Sequence, residues 1–184
     1  ILTMPDTMSI ERRAMLRAYG AELQLTPGNE GMKGALDLAK ELSSTIPNSF
    51  QFNQFENLAN PDIHERTTAK EIWDQSHQHI DGLVTGVGTG GTISGIGRFL
   101  KEQNSNIKIW GVDSYGSVYK KYHETGEFDK DEIYPYITEG IGEDIIAKNV
   151  DFELIDHFEK VTDKDGAVMA CLLYTSDAAD EKVR

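Results

Sequence analysis

Ile80-Asp81-Gly82-Leu83-Val84-Thr85-Gly86-Val87-Gly88-Thr89-Gly90-Gly91-Thr92 runs from an apolar stretch straight into a glycine-rich turn. Ile93, Ile96, Phe99 and Leu100 then fall on one helical stripe, and Ile107 to Val112 forms the next apolar run. Strand, glycine loop, helix and strand together make the repeating unit of a parallel sheet. The same alternation extends outward on the N-terminal side. Ile1-Leu2-Thr3 reads as the end of a strand. Ser9 is placed to cap a helix through Tyr19 that stops at Gly20. Ala21, Leu23 and Leu25 alternate with polar neighbours as a strand closed by Pro27-Gly28. Met32, Ala35, Leu36, Ala39 and Leu42 line a second helix, and Phe50 and Phe52 mark a further strand. Asn60-Pro61 is expected to open a third helix that continues through Ile63, Ala69, Ile72 and Trp73. The class is α/β with a parallel sheet.

The glycine loop admits three readings. Glycines bring backbone N–H groups close to an anion, and a helix start adds unpaired donors at the positive end of its dipole. Thr89 and Thr92 can add hydroxyls, so the loop can cradle a phosphate. It can also be no more than a tight connection. Formally, Gly86, Gly88 and Gly91 satisfy the dinucleotide fingerprint, with Asp113 placed to hold a ribose. The two threonines suit a terminal monophosphate better than a bridging pyrophosphate.

Composition narrows the partners. The 184 residues carry 18 Lys+Arg against 31 Asp+Glu, a net charge of −13. That balance disfavours nucleic acid, which needs a basic stripe, and equally disfavours an anionic membrane surface. No apolar run reaches the ~20 residues that span a bilayer, so a soluble, cytoplasmic protein is expected. One cysteine, Cys171, cannot close an internal disulfide. From Glu124 to Asp165 there are 14 acidic and 4 basic residues, read as a solvated face with irregular connections. His77 and His79 read as surface residues, and His64 as a packing or capping residue on its helix. Asp163 and Asp165-Gly166 lack the further oxygens of a calcium loop, and no metal site is expected. Trp73 and Trp110 fit core positions.

Three stretches carry a resemblance. Met4-Pro5-Asp6-Thr7-Met8-Ser9-Ile10-Glu11-Arg12-Arg13 looks like the signature helix start of bacterial O-acetylserine sulfhydrylases, the cysteine synthases. Asn53-Gln54-Phe55-Glu56-Asn57-Leu58-Ala59-Asn60-Pro61, with His64, Thr67-Thr68 and Glu71-Ile72-Trp73, resembles the same family. Gly88-Thr89-Gly90-Gly91-Thr92 is similar to the pyridoxal-phosphate loop of the tryptophan-synthase-β-like enzymes. Further on, Gly111-Val112-Asp113-Ser114-Tyr115-Gly116-Ser117 and Glu139-Gly140-Ile141-Gly142 are closer to cystathionine β-synthases, since cysteine synthases generally carry Gln where Glu139 stands.

The resemblance implies the pyridoxal-phosphate fold of type II, a three-layer αβα arrangement that is incomplete here. Residues 1–57 would be part of a small N-terminal domain and 58–170 part of a large domain cradling the cofactor. It implies β-replacement, in which a serine derivative loses its β-substituent and a sulfur nucleophile takes its place, with pyridoxal 5′-phosphate as the electron sink. Gly88, Thr89, Gly90, Gly91 and Thr92 would hold the cofactor phosphate. Gln54 would contact the substrate carboxylate, and Gly140 and Gly142 would line the mouth of the site. Glu139 matches an acidic position proposed to assist cystathionine formation. The main expectation is cysteine from O-acetylserine and sulfide. The alternatives are serine with homocysteine, as in cystathionine β-synthase, and, more distantly, a nicotinamide-binding oxidoreductase. The substrates are small amino acids, and the parent protein is expected to be a homodimer.

Lys33, Lys40, Lys70 and Lys101 do not sit in the setting that carries the family's Schiff-base lysine, so this polypeptide alone is not expected to catalyse. With no initiator methionine before Ile1, residues 1–170 read as an internal fragment. Residues 171–184 read as a non-native tail, because Cys171 to Glu181 looks like a translated sequencing adapter.

Overall fold

The computed structural model describes residues 1–175 as two compact units, divided between Gln54 and Phe55. The tail assigned to an adapter lies partly outside these residues, from position 176 onward.

In the first unit, β1 (Leu2–Pro5) pairs in parallel with β2 (Leu23–Thr26), joined through α1 (Ile10–Ala18). The Ser9 side chain accepts from the Arg12 N–H at 3.3 Å, as the capping pattern requires. A 3-10 turn (Gly28–Glu30) leads into α2 (Gly31–Thr45), whose Ala35 is buried. The strand expected at Phe50 and Phe52 is absent. Both rings are exposed, at 74% and 78%, and meet edge to face 5.3 Å apart. Two apolar residues at alternate positions do not make a strand without a neighbour to receive the backbone hydrogen bonds.

The second unit begins with α3 (Ala59–Arg66) and α4 (Thr68–Gln75). These replace the one long helix expected from Asn60 to Trp73. The break falls at Thr67, whose φ of −120° and ψ of −75° are not helical. Its hydroxyl donates to the Ile63 carbonyl at 2.7 Å, so side chain and backbone compete there. Asn60 is likewise not the N-cap. It lies inside α3, which frees its side chain for another task.

A three-stranded parallel sheet follows, in the order β3 (Gly82–Gly86), β4 (Lys108–Ser114), β5 (His157–Val161). The connections carry α5 (Gly91–Gln103) and α6 (Tyr119–Thr125), and α7 (Asp163–Thr175) comes last. Ile93, Ile96 and Leu100 of α5 are buried together with Ile107, Ile109 and Phe158. On the other face, Val84 stands in register with Trp110, and Trp110 with His157. Val84 is 63% exposed and Trp110 46%, so Trp110 is not the core residue its sequence context suggests. Strand residues alternate faces, and this one falls opposite Ile109.

The acidic stretch from Glu124 to Asp165 holds a 3-10 turn (Lys130–Glu132), long irregular connections and β5. Several of its acids are structural. Asp163 accepts from the N–H groups of Ile137 and Thr138, each at 2.8 Å. Asp165 pairs with Thr162 at the start of α7. Among the described residues no helix is long and apolar enough to cross a membrane, and no cluster of His, Cys, Asp or Glu could hold a metal ion. His77 and His79 sit on an exposed turn, where His79 Nδ1 meets the His77 carbonyl at 2.6 Å.

Candidate cofactor-phosphate site

The loop from Val87 to Gly90 leaves the C-terminal end of β3 and enters α5, the position where parallel α/β sheets place their ligands. Gly90 is the N-cap of α5, left-handed at φ 86°, and no side chain caps the helix. The first bond into the helix runs from the Ser94 N–H to the Gly90 carbonyl at 3.1 Å. The N–H groups from Gly88 to Ile93 therefore have no acceptor among the described residues. A row of unpaired donors at the positive end of a helix is a site for an anion.

The rear of the loop is pinned. Gly142 donates its N–H to the Val87 carbonyl, and the Tyr119 hydroxyl donates to the Gly88 carbonyl, each at 2.7 Å. Ser94 donates to the Asn149 carbonyl at 2.7 Å and accepts from the Asp151 N–H at 2.9 Å. Behind Gly90 lies Val150, whose Cγ2 and N would both be 2.5 Å from a Cβ at that position. The Val87, Gly88 and Gly90 carbonyls are thus engaged and the space beside Gly90 is filled, which fixes the path of the loop.

Both threonines are oriented from α3. Asn60 Nδ2 donates to Thr89 Oγ1 at 3.0 Å. His64 Nε2 lies 3.5 Å from Thr92 Oγ1, and its Nδ1 is 3.0 Å from Thr68 Oγ1. Sequence reasoning gave His64 only a packing or capping role and gave Asn60 the helix cap. Their i, i+4 spacing, which puts both on one helix face, was the available signal. Tyr119 was missed as well, because nothing local marks a tyrosine that will reach a loop 31 residues earlier. Tyr119→Phe should cost about 1–2 kcal/mol by leaving the Gly88 carbonyl unpaired, measurable as a shift in urea midpoint.

Of the remaining expected site residues, Gly140 and Gly142 do come to the loop. A Cβ at Gly88 would lie 2.9 Å from the Gly140 carbonyl oxygen. Glu139 is nearby in sequence and exposed. Gln54 is exposed and closes the first unit. The poorly solvated carboxyl is a different one. Burial first, then the like charge of Asp144, pushes the half-buried Glu143 up to about 8. Burial also raises the phenols of Tyr119 and Tyr136.

Asp113 decides against a dinucleotide. It is fully buried, and its two carboxylate oxygens accept from the Ser114 and Lys120 N–H groups, each at 3.0 Å. It anchors the start of α6 and is not available to a ribose. Residues 1–179 match the family described as pyridoxal-phosphate dependent enzyme. The chain belongs to this family.

Relatives within and near it agree. Cysteine synthase 3 of Caenorhabditis elegans is 42% identical over 97% of the chain and 50% of its own length. Cysteine synthase of Staphylococcus aureus (strain Mu50) is 44% identical over 88% of the chain and 49% of its own length. Among solved structures, the O-acetylserine dependent cystathionine beta-synthase from Helicobacter pylori superposes with a TM-score of 0.84 at 34% identity, covering 96% of this chain and 55% of that one. A hydrogen sulfide-producing enzyme from Fusobacterium nucleatum gives a TM-score of 0.81 at 36% identity, covering 94% and 56%. The chain thus spans about half the length of the curated relatives it matches. Family membership sets aside the nicotinamide-binding reading. The family's cofactor is pyridoxal 5′-phosphate, and the unpaired N–H row with two hydroxyls fits its phosphate.

Proposed function

We propose that the full-length protein forms cysteine from O-acetylserine and sulfide by β-replacement. The observation that carries this reading is the row of unpaired N–H donors at the start of α5, in a chain whose relatives are cysteine synthases. In it, the N–H groups of Gly88 to Thr92 and the hydroxyls of Thr89 and Thr92 grip the cofactor phosphate. Asn60 and His64 hold those hydroxyls in place, and Tyr119 and Gly142 keep the loop from relaxing. When bound, pyridoxal 5′-phosphate supplies the electron sink for the reaction. Gln54 would take the substrate carboxylate, and Gly140 and Gly142 would border the entrance. The small domain would comprise residues 1–57 and the large one 58–170, in a cytoplasmic homodimer. This chain alone, lacking a lysine in the family's setting, would bind phosphate without turnover.

A second reading is favoured by Glu139-Gly140-Ile141-Gly142 and by the O-acetylserine dependent cystathionine beta-synthase among the structural neighbours. Acetate leaves readily, whereas the hydroxyl of serine needs a proton, which an acid at position 139 could deliver. The test is to assay the full-length enzyme with O-acetylserine and sulfide, and with serine and homocysteine. Glu139→Gln should slow the serine reaction at least ~10-fold and leave the acetylserine reaction within about twofold. Equal loss of both rates would remove Glu139 from this role. Absence of turnover with O-acetylserine and sulfide would overturn the main reading.

A further inference from the structure

Glu143 stands at the back of the loop, and no residue of the phosphate grip explains it. A Cβ at Gly88 would lie 3.8 Å from Glu143 Oε1, which places the carboxyl against the first glycine of the loop. Its main chain is fixed on both sides. The Glu143 N–H donates to Ser117 Oγ at 3.0 Å, and its carbonyl accepts from the Val118 N–H at 3.1 Å. These bonds tie the Glu143 backbone to the entry of α6 and so keep its Cα beside the loop.

The groups around it are acidic or phenolic. Asp144 adjoins it in the chain, Tyr119 faces it from α6 and Tyr136 from the connection before β5, and Asp113 on β4 acts on both phenols. Lys160, the cation that acts on Asp113, is engaged by Glu132 and the Ser117 carbonyl. An ionised Glu143 would therefore add an uncompensated negative charge beside a loop built to receive a dianion.

We propose that Glu143 is a positioning residue that must carry a proton when the Gly88–Thr92 loop holds a phosphate, so that binding is linked to uptake of one proton by this carboxyl. The inference rests on the phosphate-binding reading of the loop. The direction follows from charge. Above about pH 8 the carboxyl ionises and repels the phosphate, so affinity falls as pH rises. Binding the dianion favours the neutral acid and draws a proton from solvent onto Glu143.

Inorganic phosphate is the appropriate probe, because it is mostly dianionic at pH 7.5 and the remainder of its own titration raises the dianion fraction with pH, against the direction of the expected fall. Calorimetry of this chain with phosphate should show affinity falling about tenfold from pH 7.5 to 9.5, as expected for two charges a few ångströms apart in a partly solvated site. At pH 8.5, where a carboxyl titrating at about 8 is already partly protonated, heats measured in two buffers of different ionisation enthalpy should reveal uptake of roughly half a proton or more per phosphate. Glu143→Gln, checked for folding by circular dichroism, should bind with an affinity nearly independent of pH over this range and without proton uptake. An equal fall in wild type and Glu143→Gln, or absence of uptake in the wild type, would overturn the role of Glu143 and leave the loop assignment standing. Absence of phosphate binding at every pH by the folded chain would overturn both.

Discussion

Gly95→Val is expected to destabilise the second unit severely. A Cβ at this position would lie 2.2 Å from the Pro61 carbonyl oxygen, 2.9 Å from His64 Cβ and 3.0 Å from the Glu65 nitrogen. Two of the three atoms belong to the backbone of α3, so no rotamer change relieves the clash. The helices must separate, and Asn60 and His64 then leave Thr89 and Thr92. Forced separation of two packed helices should cost about 4 kcal/mol or more, at the severe end for single substitutions. Thermal unfolding followed by circular dichroism should show the midpoint lowered by roughly 8–16 °C, or no cooperative transition. Gly97→Ala is the control on the same helix. There a Cβ meets Ile109 at 3.6 Å, an ordinary contact, and the midpoint should hold or rise slightly through better helix propensity. A Gly95→Val protein melting within about 2 °C of wild type would show that the α3–α5 crossing is wrong, since that contact cannot be this tolerant.

Gly90→Leu should remove phosphate binding while leaving most of the sheet intact. The residue is left-handed at φ 86°, where a leucine is strained by roughly 1–2 kcal/mol. Its Cβ would also enter the space of Val150, 2.5 Å from both N and Cγ2. The loop must move toward the side from which the ligand approaches, turning its N–H groups out of their common direction. Losing two or more aligned donors to a charged group should weaken binding at least ~100-fold. Equilibrium dialysis of pyridoxal 5′-phosphate against the full-length protein measures this directly. Retention at wild-type affinity would refute the loop as the phosphate site.

Much of the architecture was legible in one dimension because its causes are local. Period-2 and period-3.6 patterns, the cap at Ser9 and the run of glycines after an apolar strand each act within a few residues. They identified α1, α2, β3, α5 and β4 and singled out Gly88 to Thr92. The errors arose where local cues were outweighed. Phe50 and Phe52 have strand character and no strand beside them. Thr67 interrupts a helix that periodicity alone carries through. Trp110 is large and apolar yet lies on the face of β4 opposite Ile109, and nothing in the sequence tells which strand face is covered.

The α/β class and the strand, glycine loop and helix start with its unpaired N–H groups were thus determined by the sequence alone, since glycine's missing side chain and a helix's unpaired N–H groups are properties of the chain itself. Which side chains serve that loop was decided only in three dimensions. Asn60 and His64 reach it across 29 and 28 residues, and Tyr119 across 31. Their positions depend on how α3 and α6 dock, and docking follows from summed packing, to which no short motif corresponds. The same holds for carboxyl groups. Glu139 carries the family-like motif and lies in solvent, whereas Glu143, four residues on, is the one deprived of water. Burial is a property of the folded surroundings, so the acid whose protonation matters could be found only there.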